Sequence, residues 1–324
     1  MNARRIAISA SLALSCLQAP AAPPKAECIA PAKPGGGFDL TCQLVRDAMR
    51  HPAVVPPVDV EVRYMPGGIG ALAFDRAVSQ QWGSPQTFIA FSTGSLVNLA
   101  QGKFGPHRSD DVKWLATLGI EYGVVAVRRD SRFDSLGVLA QHLRENAAAA
   151  VFGAGGGVGS QDWIKAALLV KAAGRDHRAM RFVSFEGGGQ ALSALRGGHI
   201  DVFCGDAAEA LPAFAAGEVR LLAVFAPKRL GGALAAVRTA REQGVDIVWP
   251  TVRGVYMGPG VPQRDHDEWT RMLRRMAATP GFQAAARARG LEPLVITGPE
   301  LQDHVRAEVQ RLRALAQSLH LPVR

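Results

Sequence analysis

Three glycine-rich segments carry the chemistry this sequence can do: Pro34-Gly35-Gly36-Gly37-Phe38-Asp39, Gly153-Ala154-Gly155-Gly156-Gly157-Val158-Gly159-Ser160 and Glu186-Gly187-Gly188-Gly189-Gln190. Each follows an apolar run that reads as a strand and opens a stretch with helical spacing. Residues without side chains at such a junction leave backbone N–H groups bare beside the positive end of a helix, which can receive a carboxylate or a phosphate. Ser92-Thr93-Gly94-Ser95, after Phe88-Ile89-Ala90-Phe91, is a fourth segment of this kind, with hydroxyls as donors. One glycine loop is usually only a tight turn. Four with the same placement point to an anion site.

Other chemistries lack their residues. There is no Gly-x-x-x-x-Gly-Lys-Ser/Thr phosphate loop, and residues 153 to 159 depart from a dinucleotide fingerprint because Val158 stands where its third glycine belongs. No Gly-x-Ser-x-Gly elbow, His-Glu-x-x-His or Cys-x-x-Cys occurs, and the eight histidines are scattered singly. Lone histidines such as His107 and His199 read as surface or capping residues. Loops that can hold an anion, with no nucleophile to attack it, indicate binding without catalysis, metal or cofactor.

The elements that must position these loops are strands and helices in alternation. Leu40, Leu44, Val45 and Ala48 have helical spacing, Val58, Val60, Val62 and Tyr64 alternate, and buried-strand runs follow at 88–91, 124–127, 151–152, 182–185, 200–203 and 221–225. Near the C-terminus Trp269, Met272, Leu273 and Met276 form one apolar stripe, and Leu301, Val305, Val309, Leu312 and Leu319 another, both expected to pack. The class is α/β, with helices flanking mostly parallel sheets. So many strands in one chain predict two lobes, with crossings at Asp130-Ser131-Arg132-Phe133 and within Gly244 to Arg253.

Composition narrows the partners. The formal charge of +9 permits anionic partners, but only 6% of the 324 residues are aromatic and no Lys/Arg run exceeds two, which argues against a nucleic-acid surface. Arg4 and Arg5, the apolar run from Ile6 to Leu17 and Ala19-Pro20-Ala21 read as an export signal over residues 1–21, too short for a membrane anchor. Cys16 is a weak candidate for lipid attachment, because Ala13 stands where such a site wants Leu or Val. In an oxidising compartment Cys28 and Cys42 can pair. Against that, a strand from 28 to 33 covers about 17 Å while the next helix returns only about 1.5 Å per residue, so the bridge requires a strand that starts late or bends. Cys204 reads as a buried, inert thiol.

Residues Glu27 to Thr41 resemble the first loop of the periplasmic solute-binding subunits of tripartite tricarboxylate transporters. The likeness continues through Tyr64 to Ala71, Ser92 to Ser95, Phe152 to Gly156, Phe185 to Gly189 and Arg253 to Pro259. It implies a two-lobed periplasmic-binding-protein-like fold of type II with the ligand cleft between the lobes. Residues 22–126 and 251–324 would form lobe 1 and residues 127–250 lobe 2. It also implies a monomeric periplasmic receptor, not an enzyme, that delivers a carboxylate to a large and a small membrane subunit. Family members clasp one ligand carboxylate between the first glycine loop and the loop carried here by residues 154 to 160.

On that basis Gly35, Gly36 and Gly37, with Gly155, Gly156 and Gly157, are expected to present N–H groups to the near carboxylate. Ser92, Thr93, Ser95, Asn98 and Ser160 are expected as uncharged donors, and Asp39 as the cap of its own helix. Asp206 either accepts a ligand hydroxyl or caps the next helix. Lys33 and Arg253 depart from a family pattern that has uncharged and aromatic residues there, and two such cations at the cleft would suit a citrate-like tricarboxylate. Alternatively they are solvated rim charges. Two further functions fit less well: a carboxylate sensor docking on a membrane kinase, which would use the same cleft, and an exported NAD-dependent enzyme built on residues 153 to 159.

Overall fold

A computed structural model describes residues 25–50 and 57–323. The expected export signal, with Cys16, lies outside the described residues. In chain order the first lobe begins with β1 (Lys25–Ala30), α1 (Gly37–Met49), β2 (Asp59–Tyr64), α2 (Ala71–Ser79), β3 (Thr87–Ser92) and α3 (Thr93–Ala100). The long strand β4 (Lys113–Arg128) then leads into α4 (Leu136–Glu145), β5 (Val151–Gly155), α5 (Gln161–Ala172), β6 (Arg181–Phe185), α6 (Gly188–Arg196), β7 (Val202–Asp206), α7 (Ala207–Ala215) and β8 (Val219–Val224). The chain returns through β9 (Pro250–Met257), α8 (Gln263–Ala277), α9 (Pro280–Ala288), β10 (Glu292–Pro293) and α10 (Gly298–Ser318).

The strands follow the order β2-β1-β3-β9-β4-β7-β5-β6, with β8 and β10 also on β4. Strand β4 joins the lobes: it pairs with β9 as far as Tyr122, and with β7 and β8 from Gly123 onward. At that change of partner Gly123 donates to the Trp249 carbonyl and accepts from the Phe225 N–H, so the outgoing and returning segments run side by side. β4 therefore changes partners at Tyr122/Gly123. Asp130, in the first stretch expected as a crossing, pairs with Arg128 on the exposed end of the strand. Of the second such stretch, Pro250 to Arg253 belong to β9. The sheet is also more mixed than expected. β1 is parallel to β2 and β3, and β5 to β6 and β7, but β4 and β9 run antiparallel to their neighbours.

Helix packing follows the apolar stripes. Leu44, Val45, Ala48 and Met49 of α1 are buried, as are Trp269, Leu273 and Met276 of α8 and Leu301, Val305, Val309 and Leu312 of α10. Side chains of this size each contribute about 1.5–3 kcal/mol when fully buried. One core cluster carries Phe38, Val45, Phe88 and Leu273 in the first lobe, another Leu195, Phe203 and Val224 in the second. Cys28 and Cys42 form a disulfide with Cα atoms 5.6 Å apart. The bridge closes because β1 ends at Ala30 rather than 33, and five residues of α1 bring the chain back level with Cys28. Cys204 is buried, and that burial pushes its thiol pKa up, away from reactivity.

Candidate functional site

The glycine loops meet one another at the cleft, and several of their glycines are dictated by contact. A Cβ on Gly37 would lie 2.1 Å from the Arg253 guanidinium, and one on Gly188 would lie 2.1 Å from Glu209. One on Gly155 would press on the Gly188 backbone, and one on Gly189 on the carbonyl of Gly35. The three loops thus pack backbone to backbone across the lobes. Helices α1 and α6 open on Gly36 and Gly187 with no side-chain cap at those residues; Glu209 takes the Gly37 N–H, and the other first-turn N–H groups are offered to the cleft. Helix α5 is capped by Ser160, and α3 by a capping box of Ser92 with Ser95.

Between the loops lies a small inner chamber of about 40 Å³, room for roughly three waters. Outside it opens a mouth of about 470 Å³ that shares Ile69, Asn98 and Ser160 with the chamber wall. Of the expected residues, Gly36, Gly37, Ser92, Asn98, Gly155, Ser160 and Arg253 line the chamber. Gly156 and Gly157 line the mouth. Lys33, Gly35, Thr93, Ser95 and Asp206 line neither. The Gly35 N–H donates to Asp39 at 2.7 Å, so Asp39 braces the loop before its helix. Thr93 Oγ1 accepts from the Val252 N–H, Ser95 Oγ from that of Ser92. Lys33 is exposed.

Arg253 sits deep in the wall, 3% exposed, with Nε donating to Glu121 at 2.6 Å and Nη2 to Asp206 at 2.9 Å. It is not the outward cation that the sequence suggested, because those two carboxylates already hold it. Asp206 also accepts from Lys165 at 2.6 Å, Thr251 at 2.9 Å and Gln161 at 2.9 Å, while forming the capping box that starts α7. Lys165 donates in turn to Asp162 at 2.8 Å. Burial works against the Asp206 carboxylate, but Lys165 and Arg253 outweigh it and hold its pKa below the ordinary range. Burial likewise opposes both cations, and their carboxylate partners leave each raised.

Sequence reasoning missed several groups on these walls. Glu209, on the first turn of α7, lines the chamber and accepts the Gly37 N–H at 2.8 Å. Its signal was the spacing Asp206-x-x-Glu209 ahead of an apolar run. Gln161 lines the chamber too. Its Nε2 is fixed on Asp206, which leaves its buried Oε1 without a partner among the described residues. Lys103, at the mouth, donates to the Val158 carbonyl at 2.7 Å and is partnered by no carboxylate among the described residues. No sequence pattern marks Gln161 or Lys103.

The sequence description of TctC, the tripartite tricarboxylate transporter family receptor, matches residues 99–321. The chain belongs to this family. As one of its receptors it is a solute-binding protein and not an enzyme. A search of curated proteins finds no match. Among solved structures, the periplasmic binding protein BugD is 20% identical with a TM-score of 0.82, covering 92% of this chain and 98% of its own. MatC from Rhodopseudomonas palustris, solved with bound malate, is 22% identical with a TM-score of 0.77 over 90% of this receptor and 98% of MatC. A protein from R. palustris solved with adipate is 20% identical with a TM-score of 0.81 over 92% and 98%. These likenesses establish the two-lobed α/β fold of the receptor. No helix among the described residues is long and apolar enough to cross a membrane.

Proposed function

We propose that this receptor works in the periplasm, where it captures a small dicarboxylate and hands it to the membrane subunits of its transporter. The observation that carries this is the convergence of the uncapped N-termini of α1 and α6 on a chamber floored by Arg253. One carboxylate in the chamber would take the first-turn N–H groups other than that of Gly37, which Glu209 holds, and the Nη1 edge of Arg253, which has no hydrogen bond among the described residues. The rest of the molecule would extend into the mouth toward Lys103, and a ligand hydroxyl would satisfy Gln161 Oε1.

A citrate-like tricarboxylate has lost its main support. That assignment required Lys33 and Arg253 as two available cations, and one is exposed away from the chamber while the other is spent on Glu121 and Asp206. MatC and the R. palustris protein bind dicarboxylates, malate and adipate, on the same fold. A thermal-shift panel on the mature protein tests the assignment. Malate is expected to raise Tm more than acetate or citrate, and NAD not at all. Citrate giving the largest shift would overturn the dicarboxylate; no shift with any carboxylate would overturn the receptor's ligand class.

A further inference from the structure

We infer that Glu209 serves the chamber as a neutral carboxylic acid that donates its proton in a hydrogen bond to the ligand's inner carboxylate. This rests on the chamber receiving a carboxylate, as proposed above, and goes beyond it by naming a residue that couples anion binding to a proton.

The case starts from charge and geometry. Four carboxyl groups gather behind the chamber: Glu121 from β4, Asp162 from α5, Asp206 from β7 and Glu209 from α7. Among the described residues two cations pair with them, Lys165 from α5 and Arg253 from β9. Those cations are divided among Glu121, Asp162 and Asp206, and Glu209 has no cationic partner within 4.0 Å among the described residues. From α1 the Gly37 N–H donates to its Oε1 at 2.8 Å, and the Asp206 N–H lies 3.4 Å from Oε2. From α6 the uncharged Gly188 faces it, where an added Cβ would meet the Glu209 carboxyl. A fourth, unpaired negative charge in this enclosure is costly, and a proton removes the cost. Burial, then Asp206 and Asp162, push the Glu209 pKa up to about 8 against the opposing effect of Arg253.

Protonation also resolves a conflict in the site. Glu209 occupies the wall on which the ligand carboxylate must rest, so an ionised Glu209 would repel it. A protonated one supplies an O–H donor from a half-buried side chain at the chamber wall, where such a bond is stronger than in open water. Above the raised pKa, each bound anion must therefore bring a proton with it.

Calorimetry of malate binding to the mature protein at pH 7 and pH 9, in paired buffers of different ionisation enthalpy, tests this. The wild type is expected to take up close to one proton per malate at pH 9 and to lose about tenfold in affinity per pH unit beyond the transition. Glu209→Gln, neutral at every pH, is expected to lose both the proton uptake and the alkaline decline, its affinity at pH 9 matching its own affinity at pH 7. Flat wild-type affinity without proton uptake overturns the inference, and that measurement needs no variant. A decline that persists in Glu209→Gln also overturns it and assigns the titration to Lys103, the amine at the mouth. Malate that binds without proton linkage leaves the receptor assignment standing, whereas no carboxylate binding at any pH removes both.

Discussion

In the inner chamber Arg253 is buried and its guanidinium is held on two sides by Glu121 and Asp206, whereas at the mouth Lys103 stands exposed and gives its ammonium only to the Val158 carbonyl. Both residues lie along one cleft and both carry a positive charge. The first is chiefly a structural member whose partners fix where α7 and β9 meet, with only its Nη1 edge left for a ligand. The second is free to exchange a carbonyl for a ligand. A cation's value to an anion site thus depends on what already neutralises it, and neither burial nor residue type alone decides this.

The largest expected effect breaks the chamber side of that contrast. Arg253→Met would leave Glu121 and Asp206 short of a cation inside the protein, at a cost of about 3–5 kcal/mol. Urea unfolding followed by circular dichroism should show that loss. Affinity should fall as well, since Nη1 faces the chamber; a stability change below about 1 kcal/mol would show that Arg253 serves the ligand and not the fold, and erase the distinction.

Next comes the packing of the loops themselves. Gly37→Ala would place a methyl group 2.1 Å from a guanidinium that cannot swing away, because two carboxylates hold it. The N-terminus of α1 must then retreat from β9 or the lobes must part. Overpacking of this kind costs about 1–3 kcal/mol, and malate affinity should fall by tenfold or more, read by calorimetry. Unchanged affinity would show that the chamber opens more readily than its contacts suggest.

These contacts explain what could and could not be read from the sequence. The glycine loops were legible because strand, glycine cluster and helix are adjacent in the chain, and strands β3, β5, β6 and β8 because their apolar runs are local. The first half of β4 was not, since two irregularities in its pairing with β9 disturb the alternation from Lys113 to Tyr122. Glu209 and Gly37 meet across 172 positions, Arg253 and Glu121 across 132. No local pattern encodes such encounters, so Arg253 was visible as a cation while the carboxylates that neutralise it were not.

The smallest effect sharpens the mouth side. An exposed cation facing one ligand carboxylate contributes roughly 0.2–1 kcal/mol, so Lys103→Met should weaken malate by about 1.4-fold to fivefold. Acetate, whose single carboxylate stays in the chamber, should bind Lys103→Met and wild type alike, and Lys33→Met should change neither ligand. The Lys103 difference should also shrink as salt is added, because screening acts on exposed charges before buried ones. If Lys33→Met weakened malate and Lys103→Met did not, the ligand would leave the chamber toward the first glycine loop rather than toward Val158. Affinity for malate and acetate in these two variants, measured at low and high salt, therefore fixes the direction in which the ligand lies.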